Sequence, residues 1–129
     1  KVDRNPIAAI ALSMDTSTIT ACGNDYGYEH LFERNLRALG KKGDVLICIS
    51  TSGMSKNLEY AAKAAKSMEI TTMGFLGNNG GKLKQYCDYS FIIPSSNTAR
   101  IQECHIILGH SLMEYLEEKL LENELITRI

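Results

Sequence analysis

Two kinds of hydrophobic stretch take turns along this chain. Short runs at 7–12, 45–49, 71–76 and 88–93, the last closed by Pro94, read as strands. Elsewhere apolar residues recur at three- and four-residue steps. They are Leu31, Phe32, Leu36 and Leu39 within 28–39, four alanines within 57–68, and a stripe from Ile101 through Leu108, Leu112 and Leu116 to Leu121. Those spacings predict helices, the last reaching about residue 123. A shorter helix is expected over 19–22, capped by Asp15 or Thr16 and stopped by Gly23, with a turn over 24–27. Gly40 suits the position just past the 28–39 helix, residues 82–86 suit a helical turn, and Ser96, Asn97 or Thr98 suits the cap of the last helix.

Strand and helix thus alternate four times with no hairpin signal between strands. That order predicts a parallel sheet covered by helices, an α/β three-layer αβα sandwich in one domain. The run Val45-Leu46-Ile47-Cys48-Ile49 has no polar alternation and is expected to be buried on both faces.

Where that run ends, the chain places Ser50, Thr51, Ser52 and Ser55 around Gly53, immediately before the alanine-rich helix. A strand, a hydroxyl-rich loop and a helix N-terminus together make a place for an anion, because the first helical N–H groups are unpaired and carry partial positive charge. The plainer alternative is that Ser52 or Ser55 simply caps the helix. In open parallel sheets ligands bind at the carboxyl ends of strands, where this loop and the Ser13–Ser17 region both fall. GNNGG after the third strand lacks the spacing of a dinucleotide-binding turn and reads as a flexible loop.

Composition narrows the function classes. The chain has 129 residues and a net charge of −1 with both signs interspersed, which gives no electrostatic case for nucleic acid or an anionic membrane. No apolar run approaches the roughly 20 residues that span a bilayer. The opening KVDRNP does not read as a signal peptide. Cys22, Cys48, Cys87 and Cys104 are far apart without a C-x-x-C pair, as expected of buried thiols in a reducing, cytoplasmic compartment.

Of the three histidines, His30 lies in the 28–39 helix, and His105 and His110 lie on the last helix pointing in different directions. Taking 3.6 residues per turn, His110 shares a face with Glu103 and is offset by about 80° from Gln102. No spacing here supplies an independent catalytic set. The residues alone give a phosphate-binding α/β domain without a reaction.

The segments NDYG, DVLICISTSGMSKN, GNNGG and ARIQECHIILGH, in this order and spacing, resemble the bacterial phosphoheptose isomerases, single-domain members of the sugar-isomerase (SIS) family. The likeness runs from Asn5 to about Leu121. It implies a flavodoxin-like SIS domain, a homotetramer with active sites between subunits, and conversion of sedoheptulose 7-phosphate to D-glycero-D-manno-heptose 7-phosphate for lipopolysaccharide. It further implies that Ser50, Thr51, Ser52 and Ser55 hold the phosphate, that Asn24 and Asp25 contact the sugar, and that Gln102 and His110 reach the reacting end, both also binding zinc in many members. His110 would act as acid or base in an enediol mechanism. The family's first strand, with the helix that carries its glutamate base and a further histidine, has no counterpart here, so the chain reads as lacking its N-terminal part and inactive alone. A non-catalytic relative that binds the replication initiator, and a sugar-phosphate-sensing module, are the alternatives. His110 and the NDYG segment favour the enzyme over the first.

Overall fold

Three parallel strands carry the structure in the order β1 (Val45–Ser50), β2 (Thr71–Gly77) and β3 (Tyr89–Ile93). The computed structural model describes residues 3–128. Ile47 pairs with Met73 and Ile49 with Phe75, and Phe75 pairs in turn with Phe91. Since side chains alternate across a strand, these residues share one face. Leu46, Cys48, Ser50, Thr72, Leu76 and Ile92 take the other.

Helices α2 (Leu31–Leu39) and α3 (Lys56–Ser67) lie on the second face. Ala61, Ala62, Ala64 and Ala65 of α3 are all buried. With only a methyl group at four positions, α3 can sit close to the strands, and Leu46, Cys48, Leu76 and Leu83 fill the core beneath it. Fully burying a leucine contributes roughly 1.5–3 kcal/mol. Cys48 is completely buried, and that burial, with a smaller contribution from Cys87, pushes its thiol up to about 12.

The long helix α4 (Thr98–Glu122) lies on the first face, packed against β2 through Ile101 and His105. Asn97 caps it, its side-chain oxygen accepting from the Ala99 and Arg100 N–H groups at 3.0 and 3.3 Å. The three layers expected from the sequence are therefore present.

Two strand expectations are corrected. Residues 7–12 form no strand. An extended apolar run becomes a strand only beside a ladder partner, and among the described residues no strand lies alongside this one. The 45–49 run is likewise not doubly buried: Val45, Ile47 and Ile49 are exposed while Leu46, Cys48 and Ser50 are buried. Its first face lacks cover because α4 lies over β2.

Helix boundaries also move. α1 (Thr16–Asp25) runs through Gly23 and ends before Gly27, whose φ of 90° no ordinary residue holds easily. Asp15 is its cap, accepting from the Ser17 N–H at 3.0 Å. Residues 28–30 form a 3-10 turn ahead of α2, and Gly40 caps α2 in an extended rather than a left-handed conformation. No helix is long and apolar enough to cross a membrane among the described residues. All four cysteines are free thiols.

Candidate functional site

The carboxyl ends of all three strands open on one side of the sheet, and three loops meet there. The 50–55 loop joins β1 to α3, GNNGG follows β2, and residues 94–97 lead from β3 into α4. Ser52, Met54, Asn79, Pro94, Ser95 and Ser96 line an open cleft between them.

Inside the first loop the hydroxyls differ in their tasks. Ser50 is buried, and its Oγ accepts from the Gly53 N–H at 3.0 Å and lies 3.2 Å from Ser55 Oγ. Ser52 is exposed, with its Oγ accepting from the Met54 N–H at 3.2 Å. Ser55 occupies the N-cap position of α3, but its side chain caps nothing. The simple capping alternative is therefore not what the fold uses. The first turn of α3 has no side-chain cap from Ser55, and its one acidic residue, Glu59, is paired with Lys63 at 2.6 Å. An anion at this helix start would meet N–H dipoles and hydroxyls, with the nearby carboxylate already paired.

The second loop is interlocked with the first. Gly53 and Gly81 both have positive φ, and a Cβ at Gly53 would stand 2.1 Å from the Gly80 oxygen. A Cβ at Gly81 would stand 2.5 Å from the Gly53 oxygen. Leu83 N–H donates to that same Gly53 oxygen at 2.9 Å. Only glycine allows the two backbones to approach this closely. Asn78 completes the joint: its Nδ2 donates to the Thr51 oxygen at 3.0 Å and its N–H to the Ser95 oxygen at 3.1 Å. The sequence showed GNNGG only as a flexible loop. An asparagine placed directly after a strand and before paired glycines was the available signal.

The remaining candidates lie apart from this loop. Asn24 and Asp25 sit exposed at the end of α1, Asn24 Nδ2 donating to Asp25 Oδ1 at 2.8 Å, and no hydrogen bond joins them to residues 50–55 among the described residues. Gln102 and His110 are both exposed on α4, separated by a rise of about 12 Å. Glu103, which shares the His110 face, is instead paired with Arg100 at 2.6 Å. Among the described residues no group of three or more His, Cys, Asp or Glu side chains could hold a metal ion. The described residues therefore give zinc no complete ligand set, and Gln102 and His110, two turns apart on α4, would supply two positions of it.

His105 is a core residue. Its Nε2–H donates to the Leu76 oxygen at 3.1 Å, and its ring lies 6.0 Å from that of Phe75, which fastens α4 to β2 just below the cleft. His30 pairs with Glu33 at 3.0 Å and stacks on Tyr60, which makes it an interhelical contact.

The family model described as "SIS domain" matches residues 1–77, more than half of the chain. The chain belongs to the SIS-domain family. Among its relatives are phosphoheptose isomerases from Clostridium acetobutylicum, 52% identical over 93% of this chain and 61% of theirs, and from Aquifex aeolicus, 53% identical over 95% and 64%. The solved phosphoheptose isomerase of Neisseria gonorrhoeae superposes with a TM-score of 0.82 at 46% identity, covering 83% of this chain and 61% of that one. The Francisella tularensis enzyme superposes at 0.84 and 39% identity, covering 86% and 60%. This SIS chain therefore spans about three-fifths of the length of the curated relatives it matches.

Proposed function

We propose that this chain works as part of a phosphoheptose isomerase, interconverting sedoheptulose 7-phosphate and D-glycero-D-manno-heptose 7-phosphate. The observation that carries this reading is the 52–53% identity to phosphoheptose isomerases over more than nine-tenths of the chain. The geometry supports it with a hydroxyl-rich loop at the N-terminus of α3, where the Ser55 side chain makes no cap and, of the 56–58 N–H groups, only that of Leu58 is taken among the described residues, by Asn57 Oδ1 at 2.8 Å. In this reading Thr51, Ser52 and Ser55 receive the phosphate and Ser50 holds them in place through Gly53 and Ser55. Asn24 and Asp25 contact the sugar.

The reaction is a 1,2-proton transfer through a cis-enediol. A base takes a proton from C1 of the ketose and an acid protonates the carbonyl oxygen. The enediol then accepts a proton at C2 while the C1 hydroxyl gives up its own. An imidazole can serve as either partner, and His110 is assigned that role, with Gln102 beside the reacting end and the main carboxylate base outside this chain. Zinc belongs to the same reading as a Lewis acid for the carbonyl oxygen. Gln102 and His110 would be two of its ligands, and the others would have to come from outside this chain. The exposed apolar residues Val45, Ile47, Ile49, Ile106 and Ile107 support assembly as a homotetramer. Four free thiols support a cytoplasmic setting.

The test uses the complete gene product with sedoheptulose 7-phosphate in D2O. The expected result is aldose phosphate with deuterium at C2, and a loss of about 10²–10⁴ in rate for His110→Ala. The absence of both turnover and exchange in the wild type would overturn the reading.

A further inference from the structure

Asn78 is the residue through which all three strand-end loops are joined. It follows the last residue of β2 with φ 55°, a left-handed conformation that asparagine tolerates better than most residues. One of its donors reaches the Thr51 oxygen in the first loop, and the other reaches the Ser95 oxygen in the third. The Thr51 oxygen and the Ser52 N–H belong to a single planar trans peptide and point in opposite directions. Fixing that oxygen therefore fixes where the Ser52 N–H aims. This N–H has no hydrogen-bond partner among the described residues. The Thr51 oxygen is also packed against Gly77, where a Cβ would stand 2.2 Å from it, so backbone packing confines the Thr51–Ser52 peptide while the Asn78 donor supplies the directional hydrogen bond that sets its orientation.

We propose that Asn78 is a positioning residue for phosphate binding: its side-chain donor holds the Thr51–Ser52 peptide with the Ser52 N–H presented to the phosphate. This rests on the reading of residues 50–55 as a phosphate loop. Asn78 acts through the peptide plane it holds, its Nδ2 being engaged by the Thr51 oxygen. Removing the donor takes away the one hydrogen bond that orients that peptide, which weakens anion binding while leaving the chemistry at the other end of the sugar intact.

The experiment titrates the complete gene product with inorganic phosphate by calorimetry and measures sedoheptulose 7-phosphate kinetics in parallel. Asn78→Gly keeps the left-handed backbone and deletes the donor. It should raise the phosphate Kd and the KM together by about fivefold, the factor one ordinary hydrogen bond represents, with kcat unchanged. Asn78→Asp keeps the size and turns a donor into an acceptor facing the Thr51 oxygen. It should weaken phosphate binding further and serves if the glycine variant fails to fold. Lys66→Gln, an exposed position at the far end of α3, should change neither constant. An unchanged phosphate Kd in the folded Asn78 variants overturns the proposal, as does a wild type that does not bind phosphate. A wild type that binds phosphate but does not isomerise overturns only the assigned reaction, and the phosphate Kd alone then decides the role of Asn78.

Discussion

The two faces of the sheet are built from the same three strands, yet they differ sharply in cover. On the α3 side Cys48, Leu76, Ala61 and Ala62 are all 0% exposed. On the α4 side Val45 and Ile49 are 58% and 59% exposed, and Tyr89 is 62% exposed. Strand composition does not explain this, because isoleucine and valine dominate the bare face of β1. The helices do. Four small residues let α3 lie against both β1 and β2, whereas α4 meets β2 at Ile101 and His105 and carries Ile106 and Ile107 outward. Within this chain, stability resides on one face, and the other presents apolar surface for burial.

That contrast can be broken most severely at Leu76. Leu76→Ala removes a fully buried side chain and should cost about 2–5 kcal/mol in denaturant unfolding. A smaller effect comes from the Cys48 thiol, whose pKa burial raises from 9.0 to about 12. The unfolded state loses that proton first, so folding stability should fall as pH rises above 9.0, by at most roughly 1.4 kcal/mol per pH unit. Unfolding curves of wild type and Cys48→Ala across that range should diverge accordingly. The smallest effect is expected on the open face, where Ile49→Ser should stay within about 0.5 kcal/mol in this chain. A cost approaching that of Leu76→Ala would show that this face is covered in solution.

Much of the architecture was legible from residue spacing. β2, β3, α3, the Asn97 cap and the reach of α4 depend on local pattern, and each lies within a few residues of its expected place. Residues 45–49 and 7–12 were misread for a common reason. An apolar run records what a side chain prefers, while burial and ladder pairing depend on which element lies beside it. The candidate site divides in the same way. Hydroxyls clustered before a helix are visible in one short segment, but the inward turn of the Ser50 hydroxyl is not. Nor is the meeting of Gly53 with Gly81, since it depends on loops that follow different strands.

The glycine interlock has a consequence for how this site can change. Gly53 and Gly81 occupy each other's side-chain space, so a β-carbon at either position must displace the backbone of the other loop. Diversification of the cleft is thereby channelled to Ser52, Asn79, Ser95 and Ser96, whose side chains line it. A library aimed at altering ligand preference has its freedom in those four walls, around a hinge-pin that tolerates no retailoring one residue at a time.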